Sequence, residues 1–362
     1  MPARDMGFLQ DPGAYHVLPV ANVPPPFLHA PHAPPLSSPV DSLLRSGHYR
    51  LAAIAAARNI VSAAAPTDCD TLLHLVHVRL ACLCLLQEHH LAAQESKVLG
   101  DLNSAFYRHP LTHAHIVPWP LRLLVVRLSA LGYGEWRKGI MGYYELARDC
   151  RESIVNATTA QDKALWRTRL RDCGVRVANL LVEMGHLQGA GQHLATLAVP
   201  EGHDAANPAE ARAILLMETL VWLRLGDVQA ARRCLSHATA QSPDELIDGT
   251  LDALMQLADS DYEAAASSFR DLHEKMPDDA MLAQNLAVCL LYTGRIQDAK
   301  HVLGRLVEQS PPFHSLVLNL ATVYELCTER NSEKKMALAE TLARRTDGGG
   351  VGWELSNHEF KL

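Results

Sequence analysis

No CxxC pair occurs among the eight cysteines, which are scattered as Cys69, Cys82, Cys84, Cys150, Cys173, Cys234, Cys289 and Cys327. A zinc ribbon or a dense disulfide framework is therefore not expected, and thiols so placed fit a reducing compartment. Aromatic residues make up only 6% of the chain, while its 48% apolar content is rich in Ala and Leu. That poverty argues against an all-β sandwich and favours helices. There is no basic excess either. The 33 Lys and Arg against 40 Asp and Glu give a net charge of -7, which disfavours a broad nucleic-acid footprint because phosphate binding draws on cations. The beginning, Met1-Pro2-Ala3-Arg4-Asp5-Met6, lacks the apolar core of a signal peptide. The longest apolar stretch, Leu72 to Leu86, is broken by His74, His77 and Arg79 and falls short of the roughly 20 residues that span a bilayer. A soluble protein is expected.

Catalytic signatures are missing as well. The sequence has no GxSxG elbow, no GxxxxGK[ST] loop and no HExxH pair. Gly132-Tyr133-Gly134 lacks the third glycine of a dinucleotide loop and follows a helical run, and Gly348-Gly349-Gly350 precedes no lysine. Both read as turn or tail. His74 and His77 share a helical face without a third ligand on it, so they read as packed histidines. Of two DxD strings, Asp68-Cys69-Asp70 reads as a helix N-cap and Asp259-Ser260-Asp261 as a turn. No catalytic residue, metal ligand, cofactor or small-molecule substrate is expected. Asn156-Ala157-Thr158 is a glycosylation sequon with meaning only in the secretory lumen.

Proline organises what remains. Ten of the twenty lie in the first 40 residues, Pro24-Pro25-Pro26 and Pro34-Pro35 among them, and predict an extended, disordered leader over 1–39. From about Val40 apolar residues recur at three and four, the period of an amphipathic helix. Pro243, Pro277 and Pro311 are spaced by 34 and 34, as are Ala231, Ala265 and Ala299. Leu235, Phe269 and Leu303 follow each alanine by four, and Gly226-Asp227, Ser260-Asp261 and Gly294-Arg295 occupy the intervening turn. Each unit is then two short helices around a tight turn, with a small alanine where they pack and a proline that ends the second.

A 34-residue period of this kind resembles the tetratricopeptide repeat. The expected fold is all-α, a right-handed α-solenoid of helix-turn-helix repeats, with pairs near 212–241, 246–275, 280–309 and 314–345. The expected segments are a leader over 1–39, irregular helical repeats over 40–165, the regular solenoid over 166–345 and a tail over 346–362. A less regular unit is visible around Ala178, Gly185, Ala190 and Leu194, set off by a polar insert from Pro200 to Pro208.

In a solenoid the first helix of each unit lines the inner face. The residues expected there are Leu216, Leu220, Leu223, Leu254, Leu257, Val288 and Leu291, an apolar set suited to a partner's helix. The competing reading makes some of them ordinary core between helices. Asn285 and Asn319, one repeat apart, are candidates to bond an extended peptide, or are simply the asparagine common at that repeat position.

Particular strings resemble one family, subunit 12 of the trafficking protein particle (TRAPP) complex. They are Leu165-Trp166-Arg167-Thr168-Arg169-Leu170 leading to Ala178-Asn179-Leu180-Leu181; Ala287-Val288-Cys289-Leu290-Leu291-Tyr292 before Gly294; and Asn319-Leu320 with Tyr324-Glu325-Leu326 before Lys334-Lys335. Val117-Pro118 with Arg122 and the final Lys361-Leu362 also fit. The resemblance implies a non-catalytic scaffold in a vesicle-tethering complex that acts in endoplasmic reticulum-to-Golgi transport and autophagy. Its implied partners are other subunits of that complex, with no nucleic acid and only indirect contact with membranes. The implied location is the cytoplasm, at the intermediate compartment and Golgi. It does not extend to the long polar arm of vertebrate members, so the mitotic role associated with that arm is not implied, and the Gly348–Gly352 insert is a further departure. Two other classes remain in view: a co-chaperone-type adaptor that grips peptide carboxylates, which needs basic residues in the groove, and an enzyme that uses its repeats for targeting.

Overall fold

A computed structural model describes residues 4–62, 64–112, 114–198, 208–345 and 352–362. The glycine run Gly348–Gly350 and most of the polar insert before Pro208 lie outside these. Among the described residues the regular structure is helical, and the one antiparallel bridge, Arg108 with His115, builds no strand. In chain order the helices are α1 (Pro25–Leu28), α2 (Val40–Arg45), α3 (Tyr49–Ser62), α4 (Cys69–Leu85), α5 (His89–Ser96), α6 (Trp119–Tyr133), α7 (Trp136–Asn156), α8 (Ala160–Glu183), α9 (Leu187–Ala198), α10 (Pro208–Leu225), α11 (Val228–Gln241), α12 (Glu245–Ala258), α13 (Tyr262–Lys275), α14 (Ala280–Tyr292), α15 (Ile296–Gln309), α16 (His314–Cys327), α17 (Asn331–Ala343) and α18 (Asn357–Phe360). They form two compact units, one of Met1–Glu135 with Val307–Leu362 and one of Trp136–Leu306.

In the unit of Trp136–Leu306 each helix from α7 to α13 packs on the next. The 34-residue rhythm is kept: α11, α13 and α15 begin at Val228, Tyr262 and Ile296 and end at Gln241, Lys275 and Gln309. Local chemistry sets those limits. The Asp227 and Asp261 carboxylates accept from the N–H groups of Ala230 (2.8 Å) and Ala264 (3.2 Å), and so cap α11 and α13. The repeated prolines stand two residues past each end, where a missing N–H and a bulky ring forbid another turn. Ala231, Ala265 and Ala299 are each fully buried, and Leu235, Phe269 and Leu303 join them in the core. Asp68 caps α4 in the same way, as expected, by accepting from the Thr71 N–H.

The turn before each second helix needs a left-handed residue. Gly226 has φ 90°, Ser260 φ 65° and Gly294 φ 79°. Serine carries a Cβ where its two counterparts have none, at a cost of roughly 1 kcal/mol. Ser260→Gly should therefore raise the melting temperature by about 2 °C or more, read by circular dichroism, whereas Gly294→Ala should lower it.

α8 runs unbroken through 165/166, where a segment boundary was expected, because it is one long helix packed along α7. The last expected pair, near 314–345, is formed by α16 and α17, the latter beginning at Asn331. The Gly132–Gly134 segment serves packing and termination. Gly134 ends α6 at φ 68°, and a Cβ on Gly132 would stand 2.2 Å from that of Ala93 on α5.

The proline-rich stretch does not behave as the flexible leader expected of it. Met6, Leu9, Leu18, Val23 and Phe27 are buried, and the first three join the core formed by α3, α4 and α5. The prolines restrict the backbone but leave the apolar side chains between them free to dock, and polar groups are met on arrival. Met6 donates its N–H to the Pro66 carbonyl (2.8 Å), and the Gln10 amide bonds the carbonyls of Ile60 (2.9 Å) and Ala64 (2.7 Å). Arg79, 2% exposed, grips Glu95, 1% exposed, through both carboxylate oxygens (2.9 and 2.7 Å) while donating to the carbonyls of Ala53 and His16. Glu95 in turn accepts the His16 N–H (2.9 Å).

The expected tail also folds back. Trp353, Leu355 and Phe360 are buried, and α18 opens with a capping box between Ser356 and Glu359. Trp353 meets Phe27 edge-on at 5.3 Å and stacks on His48 at 4.7 Å; its backbone N–H donates to the Gly47 carbonyl (2.9 Å) and its indole N–H to the Arg345 carbonyl (3.0 Å). Arg50 holds Glu354 by two bonds of 2.7 and 2.8 Å, and burial still pushes that carboxyl above its usual range. Segments that read as loose ends thus supply one another's core.

Burial depresses the His48 pKa below its ordinary 6.5, and burial with the nearby His74 does the same to His77. The unfolded imidazoles take a proton more readily than the folded ones, so stability should be intact above about pH 6.5 and fall as the solution is acidified below it. Melting curves from pH 7.5 to 5.5 test this, and His48→Phe should flatten the profile.

Candidate functional site

The candidate face is carried by α10, α12 and α14, the first helices of three consecutive repeats. Positions spaced at three and four along a helix share a face. On α10 such a face is Ala213, Met217, Leu220 and Arg224, all exposed, with Leu220 at 50%. The equivalent positions one repeat on are Ile247, Leu251, Leu254 and Ala258 on α12, then Met281, Asn285, Val288 and Tyr292 on α14. Arg224 is the one charged side chain among these positions. Ile247 and Met281 are exposed, and Tyr292 is 63% exposed.

The residues expected at this face divide. Leu220 is the most open, while Leu257, Val288 and Leu291 are half-buried. Leu216, Leu223 and Leu254 are also half-buried, but they pack against the core of Ala231, Leu235, Leu251 and Met255. They therefore belong to the interhelix core: Leu216 and Leu223 stand one position round from Met217 and Arg224, toward the neighbouring helix, whereas Leu254 holds the position equivalent to Leu220 and is covered by the residues packed beside it. Asn285 is half-buried, with its amide 3.1 Å from the Met281 sulfur one turn back. Asn319 lies half-buried on α16, in the other compact unit. Met217, Ile247, Met281 and Tyr292 were missed by sequence reading. The 34-residue step from Ile247 to Met281 was the available signal.

Polar groups fix the spacing of α10 and α12. Arg212 bonds Asp248 (2.7 Å) and the Ser242 carbonyl (2.5 Å), while Thr239 and the Asp244 N–H complete the carboxylate's shell. Trp222 donates its indole N–H to Glu218 (2.9 Å). Glu210 pairs with Arg171, and Glu245 with Lys275. Asp252 stands on α12 with its carboxyl raised by desolvation and by the neighbouring Asp248, against the opposing pull of Arg232. At the end of the face, Tyr262 and Tyr292 stack at 4.7 Å with their rings 9° from parallel.

Such a face offers apolar area and few polar handles. It has no nucleophile–base pair, and no group of three or more His, Cys, Asp or Glu able to hold a metal occurs among the described residues. His74 is exposed and His77 half-buried on α4. No helix among the described residues is long and apolar enough to cross a membrane.

Comparison with known proteins places these features in context. A tetratricopeptide-repeat family model matches residues 256–322, which span α13 to α15 and most of α16. The chain is similar to trafficking protein particle complex subunit 12 of Homo sapiens, at 26% identity over 307 residues, covering 75% of this chain and 40% of that protein. It is similar to the Mus musculus protein of the same name at 25% identity, with 75% and 37% covered. The chain thus spans about two fifths of the length of the curated relatives it matches. Among solved structures, a tetratricopeptide repeat protein from Parabacteroides merdae is 15% identical with a TM-score of 0.44, covering 75% of this chain and 91% of that one. Yeast Tom70 is 11% identical with a TM-score of 0.38, covering 85% and 86%.

Proposed function

We propose that this chain is a non-catalytic scaffold subunit of a TRAPP-type vesicle-tethering complex, and that it binds partner subunits through the face of α10, α12 and α14. The observation that carries the reading is the apolar strip repeated at 34 residues, with Leu220 half open to solvent. Solvent-facing apolar residues in a row are costly unless something covers them. Similarity to subunit 12 supplies the kind of assembly. On this reading the protein works in endoplasmic reticulum-to-Golgi transport and in autophagy, resides in the cytoplasm at the intermediate compartment and Golgi, and reaches membranes only through its complex.

A carboxylate-gripping adaptor is the lesser reading, since a clamp needs several cations and the strip has Arg224 alone. An enzyme targeted by its repeats has no catalytic constellation among the described residues to support it.

Affinity purification with quantitative mass spectrometry tests the proposal. Wild-type protein should recover other tethering subunits, and Leu220→Asp should reduce their recovery at least about tenfold, the effect of roughly 1.4 kcal/mol, with helicity unchanged. Undiminished recovery would remove this face from the assembly, and absence of such subunits from the wild-type eluate would remove the assignment.

A further inference from the structure

A second solvent-facing surface lies on α7. The buried side of that helix carries Gly139, Tyr143, Leu146, Ala147 and Cys150, and the helix packs on α8. On its opposite side Arg137, Met141, Tyr144, Arg148, Arg151 and Val155 recur at four, three, four, three and four residues. All six are exposed, Met141 at 59% and Val155 at 81%. That alternation is the seam spacing of a two-stranded coiled coil, and here it runs for about 27 Å along the helix. Charge marks the seam further. None of its six positions is acidic, and no ion pair among the described residues engages Arg137, Arg148 or Arg151. Arg148 and Arg151 stand one turn apart, where like charges repel. Residues 136–171, which hold α7 and the first half of α8, carry eight Lys and Arg against four Asp and Glu, in a chain whose net charge is -7. The local field is therefore opposite in sign to that of the whole chain.

We infer that α7 takes an acidic helix from a partner protein, laid along this seam with Asp or Glu against Arg137, Arg148 and Arg151 and apolar residues against Met141, Tyr144 and Val155. Charge complementarity selects that occupant. A second copy of α7 would not serve. In parallel register each arginine would meet its own counterpart, and in centred antiparallel register it would meet Val155, Tyr144 or Met141, so neither arrangement supplies a carboxylate. An anionic membrane is disfavoured by Glu145 and Glu152, exposed one position round from Tyr144 and Arg151. A flat layer of headgroups would meet those acids, whereas a narrow helix leaves them at its edge. The seam spacing also matches the repeat of another helix and not the period of two of an extended strand. Because α7 precedes the pair of α8 and α9, the seam is separate from the strip on α10, α12 and α14, and its occupant does not depend on the scaffold reading.

The test uses the full chain and three synthetic helices of three heptads each. One alternates Glu with Leu along its seam, one Lys with Leu, and one Glu with Ser. Fluorescence anisotropy at physiological salt should show the Glu-Leu helix binding at least about tenfold more tightly than either other peptide. The chain's net negative charge by itself would favour the Lys-Leu helix, so this order can come only from a local basic surface. Arg148→Glu with Arg151→Glu should reverse it, making the Lys-Leu helix the tighter ligand. Met141→Gln with Val155→Gln should weaken Glu-Leu binding at least about tenfold. Both double variants should keep wild-type helicity by circular dichroism, because the replaced side chains are exposed. Equal binding of the Glu-Leu and Lys-Leu helices by the wild-type chain, tighter binding of the Lys-Leu one, or no binding of any peptide would overturn the inference. Adsorption to phosphatidylserine vesicles that is lost in the arginine double variant would overturn it in favour of a membrane. A wild-type dimer that the same variant dissociates would overturn it in favour of a second copy. Subunit recovery by Leu220→Asp bears on the strip alone, so the two proposals stand or fall separately.

Discussion

Ala265→Glu is expected to destabilise the unit of Trp136–Leu306 by at least about 4 kcal/mol, combining overpacking with the burial of an unpaired carboxylate. Ala265 is fully buried, next to Ala266 and one turn before Phe269. None of it is exposed, and α13 packs on both α12 and α14, so a longer side chain must displace its neighbours. Phe269→Ala would cost about 3–5 kcal/mol by leaving a cavity, but the glutamate should be worse per atom changed because its charge must be dragged out of water or neutralised. Thermal melting followed by helicity is the measurement. A wild-type melt for Ala265→Glu would mean that the alanine is not at a helix contact, and the 34-residue register would fall with it.

The second large effect is expected at Arg79. Its guanidinium and the Glu95 carboxylate are almost wholly buried, and their bonds reach the Ala53 and His16 carbonyls. Arg79→Ala should cost about 3–5 kcal/mol, since Glu95 would be left charged in the core with only the His16 N–H and partly exposed ring nearby. Replacing both partners by apolar residues of similar volume, Arg79→Met with Glu95→Leu, should restore most of that loss. The double variant separates the cost of an orphaned charge from the worth of the pair. Limited proteolysis supplies a second readout: Arg79→Ala should open the segment around His16 to cleavage, because the arginine ties that backbone to α4. Resistance of the single variant equal to wild type would show that the leader is held without the arginine.

The repeat was legible in the sequence because each of its parts acts over a few residues. An aspartate caps the helix that begins beside it, a proline ends the helix just before it, and a left-handed turn asks for glycine at Gly226 and Gly294. Such signals need no knowledge of the neighbours, and α11, α13 and α15 fall where they put them. The absence of alternating apolar strands likewise fixed the all-helical class. Ser260 stands at the turn against its own preference, and the flanking signals carry it.

Burial is a different kind of property, and only the tertiary structure decided it. Leu220 and Leu254 are equivalent in the repeat, yet Leu220 faces solvent while Leu254 packs on the core beside Leu251 and Met255, because what covers a residue depends on the adjacent helix. Prolines and a charged, glycine-rich approach made residues 4–39 and 352–362 look loose. Their order comes from contacts such as Arg50 with Glu354, 304 residues apart in sequence. A chain-local pattern determines where a helix starts and stops; the free energy that orders an irregular segment comes from distant groups, and it takes the folded arrangement to bring them together.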